Sequence, residues 1–330
     1  MKFVEMQGAR VSAIGLGCWQ FGSRDWGYGR QFGATTARDL VRTALDLGVN
    51  LIDTAEIYAR GASEAIVGRA IAHRRADAFV ATKFSPFRPT TATVVDHGMQ
   101  SALRLGVETI DLYQIHWPNP AFPLRPQTEG LRTLLDDGVV RHAGVSNFSA
   151  ERWARADELL GRPVLSNQVH YSLLNRKPER AVVPYARDHD RIVIAYSPLE
   201  MGVLGGRYSA DHPPANPARA RNPLCLPENL ARAEPLLAAL RRIAAAHDAT
   251  PAQVALAWLI ANPNVVAIPG ASSVEQLRHN VAAADLDLTA AEVDELTAES
   301  DRFTPVGRLE TARGLWRGRG STPPPSDARD

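Results

Sequence analysis

Val49-Asn50-Leu51-Ile52-Asp53 is a short apolar run that closes on a carboxylate. Two later runs close in the same way, Phe79-Val80-Ala81-Thr82-Lys83 on an ammonium and Leu112-Tyr113-Gln114-Ile115-His116 on an imidazole. Each has the length and apolar density of a buried strand. Ionisable groups at the ends of buried strands are costly unless they meet one another. In a parallel α/β barrel all strands end on one face, and chemistry is found there. Tyr58 lies five residues beyond Asp53, in the loop that follows. The pattern predicts a polar cluster at a barrel mouth, with a phenol beside an ammonium, a pairing suited to donating a proton.

Outward from these runs the same rhythm continues. Candidate strands are Ser12–Gly17, Val49–Asp53, Phe79–Lys83, Leu112–His116, His142–Ser146, Leu165–Val169, Ile192–Tyr196 and Val265–Pro269. Helical patterns lie between them at Thr36–Leu47, Ser63–His73, Thr93–Leu105, Pro126–Asp137, Ala150–Leu160 and Pro178–Asp190. Thr35 or Thr36, Ser149 and Thr250 are placed as helix caps, and Gly48, Gly106, Gly138 and Gly161 punctuate helix ends. Strand–helix units repeated in this number close into a barrel more readily than they lie open. The expected fold class is therefore α/β, a (β/α)8 TIM barrel. Residues 2–11 are expected to form an N-terminal hairpin across the barrel floor. The proline-rich stretch 197–230 is a long loop after strand seven, of the kind that serves as a lid or clamp. Ala231–His247 and Leu288–Ser300 are extra C-terminal helices.

A doubly wound dinucleotide fold competes with this reading. Gly15-Leu16-Gly17 follows a strand, but the third glycine of that motif falls on Gln20, and the segment beyond does not open a helix. The barrel is expected to be a single domain over residues 1–310, with 311–330, rich in Pro, Gly, Ser and Arg, as a flexible tail.

Apolar residues make up 45% of the 330 and charged residues 22%, enough to bury a sizeable core. Thirty-seven basic residues against 36 acidic leave a formal charge of +1, so no global field favours nucleic acid or a membrane surface. Cys18 and Cys225 form neither a disulfide framework nor a metal spacing, and the histidines are scattered, so no metal is expected. With no apolar leader at the N-terminus, the expected location is the cytoplasm. The oligomeric state is not legible.

Asn50-Leu51-Ile52-Asp53-Thr54-Ala55-Glu56-Ile57-Tyr58 resembles the signature of the aldo-keto reductase superfamily. Ala81-Thr82-Lys83-Phe84, Gln114-Ile115-His116-Trp117 and Gly144-Val145-Ser146-Asn147-Phe148 match it too, in order, from about Gly15 to Asn280. The resemblance implies an NAD(P)H-dependent enzyme that reduces an aldehyde or ketone, sugar-like or aromatic, to the alcohol. Hydride addition leaves an alkoxide that must take up a proton. Tyr58 is the implied proton donor, and Lys83 is expected to lower its pKa. Asp53 is expected to hold Lys83 charged and in place, and His116 to orient the substrate oxygen. The plainer alternative is a structural Asp53–Lys83 ion pair with Tyr58 and His116 as ordinary loop and core residues.

The resemblance also implies a cofactor path. Ser146, Asn147 and Gln168 are the expected partners of the nicotinamide amide, and Tyr196 its stacking surface. Ser197, Pro198, Leu199 and Arg207 are expected along the pyrophosphate. Gly270, Ser272, Ser273, Gln276 and Asn280 are expected at the adenine end. Many family members carry basic residues near positions 270 to 273 and arginine at 276, where this chain has Gly270, Ala271, Ser272, Ser273 and Gln276. NADP (NADPH) is the expected cofactor, with NAD as the alternative. Trp19, Trp26, Arg88 and Trp117 are candidates for the substrate pocket, with Phe21 and Phe87 beside them; Trp26 and Tyr28 could equally pack a lid onto the barrel. Two further functions stay open: a regulatory, cofactor-binding barrel that senses redox state for a partner, and a sugar or alcohol dehydrogenase working oxidatively with NAD.

Overall fold

Eight short parallel strands hydrogen-bond in sequential order, and their two ends meet. In the computed structural model, which describes residues 1–307, the sheet runs β3 (Leu16–Gly17), β4 (Leu51–Asp53), β5 (Phe79–Phe84), β6 (Ile110–Ile115), β7 (Val140–Ser146), β8 (Ser166–His170), β9 (Ile192–Tyr196) and β10 (Val265–Ala267). The seam is closed by Ala267 N donating to Ala13 O (2.8 Å), Gly15 N to Ala267 O (2.8 Å) and Gly17 N to Pro269 O (3.2 Å). Glycine is required there: a Cβ on Gly17 would lie 2.8 Å from Ile268 O, and one on Gly15 2.9 Å from Leu51 O. The expected (β/α)8 architecture is the one observed.

The N-terminal hairpin is present, with β1 (Phe3–Met6) antiparallel to β2 (Ala9–Ser12). Its turn uses Gln7 and Gly8, both at positive φ (53° and 76°), the geometry that matches strand twist. Val4, Ala9 and Val11 of the hairpin cluster with Leu51, Phe79, Ala81, Leu112, Ile192, Ile194 and Val266 from the strands, so the hairpin plugs the barrel floor. Ser12 belongs to this hairpin and only Leu16–Gly17 remains of the expected first barrel strand, because the chain from 13 to 15 passes from a hairpin bond (Ala13 N to Lys2 O, 2.9 Å) to the seam contacts.

A second, larger apolar cluster lies between the sheet and the surrounding helices α1 (Ala34–Asp46), α2 (Ala62–Ile71), α3 (Thr91–Leu105), α4 (Leu124–Asp136), α5 (Ala150–Leu160), α6 (Val182–Asp188), α9 (Pro251–Ile260) and α10 (Val274–Ala282). Ser149 and Thr250 cap their helices as expected, accepting from Arg152 N and Gln253 N. The first helix instead starts after Gly33, with Thr35 and Thr36 already inside it. The extra helices are α8 (Pro227–Ala246) and α11 (Ala290–Arg302). The segment after β9 is not structureless: it holds single turns at Glu200–Gly205 and Pro223–Cys225 and a short helix α7 (Pro217–Ala220), and α8 begins within the expected loop. The expected tail at 311–330 lies outside the described residues.

Side chains alternate along a strand, so residues two apart share a face. Asp53 follows Leu51 and Lys83 follows Ala81 on the inner, barrel-lining face. Above the apolar plug the interior thus becomes polar.

Candidate active site

Lys83 is fully buried, and its position is set by four contacts. Its Nζ donates to Asp53 Oδ1 (2.9 Å), Asp53 Oδ2 (2.8 Å) and Thr54 O (2.8 Å), and lies 3.4 Å from Tyr58 Oη. Burial pulls the ammonium toward neutrality, but the charges of Asp53 and Tyr58 and the hydrogen bonds to both together outweigh it and lift the Lys83 pKa above the ordinary lysine value. Asp53 therefore keeps Lys83 charged in a place where an unpaired ammonium would lose its proton.

At Tyr58 the expected effect of Lys83 is present but outweighed. Burial raises its phenol above the ordinary value, and Lys83 opposes that rise without reversing it. Burial is the larger effect, and the Asp53 carboxylate that grips the ammonium adds to the rise. The phenol is protonated at neutral pH.

His116 sits one residue beyond β6, its N–H donating to Phe84 O (3.1 Å). Its ring stands edge-on to Tyr58, with centroids 5.8 Å apart, and Trp117 packs beside it at 4.4 Å. Burial, helped by the Lys83 charge, pushes the His116 pKa down to about 2, so the imidazole is neutral. Its Nδ1 is buried without a hydrogen-bond partner, as is Gln114 Nε2 two residues before it. The four residues from distant stretches thus share one mouth.

At the neighbouring strand ends, Ser146 Oγ donates to Gln168 O (2.8 Å). Asn147, held at φ 60°, donates from Nδ2 to Ser146 Oγ (3.0 Å) and accepts the Tyr196 hydroxyl on Oδ1 (3.0 Å). Gln168 is turned inward, donating from Nε2 to Asp53 Oδ1 (2.7 Å), so it belongs to the Lys83 network as well as to the strand-end row. Tyr196 has a partly exposed ring and stacks on His170, with centroids 5.4 Å apart and planes 15° apart. Beyond it Ser197 takes φ 51°, Pro198 is buried and Leu199 packs on the core, while Arg207 is exposed.

At the far end Ser273 caps α10 by accepting from Gln276 N (3.2 Å). The Gln276 side chain folds back to accept from Ser272 N (2.9 Å), and Asn280 Nδ2 donates to Gly270 O (3.3 Å). The first turn carries Glu275 and no basic residue, and Arg278 is exposed. A phosphate at this helix start would rely on amides and serine hydroxyls. The residues fit a nicotinamide cofactor: a donor and acceptor row at Ser146, Asn147 and Gln168, an aromatic platform at Tyr196, and a capped helix start at the distal end.

Of the pocket candidates, Trp19 is 48% exposed and packs on Trp26 at 4.9 Å. The Arg219 guanidinium lies 5.5 Å over Trp26 and also donates to Met201 O (3.1 Å), tying Trp26 to the segment after β9. Trp26 therefore packs against the segment after β9. Arg88 is bound to Glu56 (3.3 Å), and the hollow it lines contains none of the four mouth residues. Phe21, expected at the rim, is fully buried against Phe32 because the loop after β3 tucks it into the outer core.

Three residues were not anticipated. His170 Nε2 bonds Glu200 Oε1 (2.7 Å), and Glu200, buried at φ 47°, also takes the Ser172 hydroxyl. Glu56 accepts from Ser85 N (2.7 Å), Arg88 and His97 (2.6 Å). His170 could have been found by the strand-end rule that found His116, had the sixth strand been read one residue longer. Among the described residues no group of three or more His, Cys, Asp or Glu is placed to hold a metal, and no helix is long and apolar enough to cross a membrane.

With this geometry in hand, the chain belongs to the aldo/keto reductase family, whose model matches residues 13–301. It is similar to an uncharacterised oxidoreductase of Mycobacterium tuberculosis, 54% identical over 314 residues that cover 94% of this chain and 97% of that one. Among solved structures it is similar to an aldo/keto reductase from Klebsiella pneumoniae in complex with NADP and acetate, 30% identical with a TM-score of 0.73, covering 93% and 97% of the two chains. A glycerol dehydrogenase from Gluconobacter oxydans superposes with a TM-score of 0.82 at 29% identity, covering 93% and 98%.

Proposed function

We propose that this protein is an NADP(H)-dependent oxidoreductase that reduces an aldehyde or ketone to the alcohol, with Tyr58 as proton donor. The observation that carries the reading is the Tyr58 hydroxyl lying 3.4 Å from a buried Lys83 ammonium chelated by Asp53. Family membership and the NADP-bound relative support the cofactor. Binding and catalysis are assigned to one domain, residues 1–310.

The nicotinamide, when bound, supplies the hydride. Tyr58 then donates its proton to the nascent alkoxide oxygen, and the phenolate left behind is stabilised by Lys83. A phenol kept protonated by burial suits the donor's task. Asp53 holds the ammonium charged, Gln168 fixes Asp53, and neutral His116 offers a ring nitrogen to the carbonyl oxygen. Ser146 and Asn147 orient the amide of the cofactor, and Tyr196 backs its ring.

A second reading, preference for NAD(H), is favoured by one observation: the first turn of α10 offers no cation for a 2′-phosphate. Comparing the affinities of NADPH and NADH by tryptophan fluorescence quenching decides between them, and tighter NADH binding overturns the first choice.

The reaction is tested with Tyr58→Phe, following NADPH absorbance across a panel of aldehydes. General-acid roles contribute about 10²–10⁴-fold, so a loss of that order is expected with NADPH binding retained. Turnover at the unmodified rate would remove Tyr58 from the proposed role. An absence of turnover in the unmodified protein would favour a cofactor-binding, regulatory role instead.

A further inference from the structure

Beside the turn that follows Tyr58 lies a hollow of about 330 Å³, lined by Glu56, Ile57, Arg60, Arg88, His97 and Arg104. Three guanidinium groups and an imidazole share it with one carboxylate. Their internal pairings leave donors over. Glu56 has both oxygens engaged, by Ser85 N and Arg88 on one side and His97 on the other. Arg88 gives Glu56 one Nη (3.3 Å), while its Nε is buried with no partner. Arg104 binds Glu64 through Nε (2.5 Å) and Ser101 through Nη2 (3.0 Å). The Arg60 side chain is exposed and makes no hydrogen bond or ion pair among the described residues. Glu56 and Glu64 balance two of the three guanidinium charges, so one positive charge remains before His97 is counted. Guanidinium forks of this kind match the geometry of carboxylate and phosphate oxygens.

The hollow is also coupled by the chain to Tyr58. Ala59, Arg60 and Gly61 follow Tyr58 directly, with φ of 47°, 56° and 86°. Three consecutive left-handed residues, two of them not glycine, make a turn that needs support from its surroundings. Part of that support is the Arg104 stem, whose Cδ lies 2.6 Å from where a Gly61 Cβ would be. A ligand bridging Arg60 to Arg104 would pin this turn from the outside.

We propose that this hollow binds a compact oxyanion, a carboxylate or phosphate group held between Arg60, Arg88 and Arg104, and that the bound group fixes the turn behind Tyr58. The oxyanion has two sources, a free small anion or the acidic end of a substrate. Binding itself does not rest on the reaction proposed above.

The first test is calorimetry of the full chain with inorganic phosphate and, separately, malonate. Saturable binding to a single site is expected, and Arg60→Glu, an exposed position that leaves Glu56 and Glu64 paired, weakens it about ten-fold or more. A thermal melt of the variant checks that it is folded. Phosphate binding that persists with NADPH saturating places the anion outside the cofactor path. Absence of saturable binding, indifference to Arg60→Glu, or full displacement by NADPH would each overturn the site.

Matched aldehydes with and without a carboxylate then separate the sources. A KM raised by Arg60→Glu only for the acidic aldehyde identifies the substrate's own acidic end. A phosphate effect on turnover of the neutral aldehyde, absent in Arg60→Glu, identifies a free anion. Binding with neither kinetic effect would overturn the link to Tyr58. Failure of every aldehyde to turn over counts against the proposed reaction and leaves calorimetry to judge the anion site.

Discussion

Lys83→Met keeps the volume of the side chain and removes its charge, leaving the Asp53 carboxylate buried without a counter-ion. Lys83 Nζ makes two bonds to Asp53 (2.9 and 2.8 Å) and one to Thr54 O (2.8 Å), and all three are lost. What remains to Asp53 is the single bond from Gln168 Nε2 (2.7 Å). Breaking a buried pair from one side costs about 3–5 kcal/mol, a large share of the roughly 5–15 kcal/mol that holds a typical domain folded. Adding Asp53→Asn removes the orphaned charge while keeping an oxygen for Gln168. The double variant should therefore recover most of the loss, leaving about 1 kcal/mol for the unsatisfied Thr54 carbonyl. Urea denaturation followed by circular dichroism measures both. Carbonyl turnover should be absent from the single and the double variant alike, which separates the pair's part in stability from its part in chemistry. A single variant that loses less than about 1 kcal/mol, or a double variant no more stable than the single, would refute the argument that this pair is a mutually dependent buried unit.

Two further outcomes follow from the same coordinates. A Cβ at Gly68 of α2 would lie 2.2 Å from Leu105 O and 2.6 Å from Leu105 C, so Gly68→Ala must push α2 and α3 apart. A cost of about 1–3 kcal/mol is expected in the urea midpoint, and an unchanged midpoint would contradict that packing. His116 has a folded pKa of about 2 against roughly 6.5 for an unfolded histidine, so it contributes stability above pH 6.5 that is lost as pH falls toward 2. At pH 4 that loss reaches about 3 kcal/mol, and His116→Phe should flatten the decline between neutral pH and pH 4; equal declines in both proteins would refute the assignment.

What the sequence made legible followed from the cost of burying charge. Asp53, Lys83 and His116 each end an apolar run, and a carboxylate, an ammonium and an imidazole at the same level of a barrel have little choice but to meet. The seam was less legible. Ser12–Gly17 reads as one strand by composition, yet its first residue belongs to the hairpin and its middle divides its contacts between Lys2 and Ala267. Phe21 reads as a rim aromatic, because nothing local distinguishes a loop phenylalanine that lines a pocket from one tucked against Phe32. The direction of the Tyr58 shift was also out of reach, since the water excluded by the fold outweighs the opposing charge of Lys83. The Glu200–His170 bond depends on the turn after β9, where Glu200 takes φ 47°, a conformation its own residue type does not announce.

The balance of charge inside the mouth bears on what the site does well. Asp53 and Lys83 oppose one another beside Tyr58, and Gln168 adds a neutral donor. In that setting desolvation governs the phenol and keeps it protonated, while His116 stays neutral and contributes no positive charge. A site built this way holds the proton that reduction requires. In the proposed reaction reduction draws on the phenol in its resting state, and the reverse reaction runs through the same site with Tyr58 ionised beside Lys83.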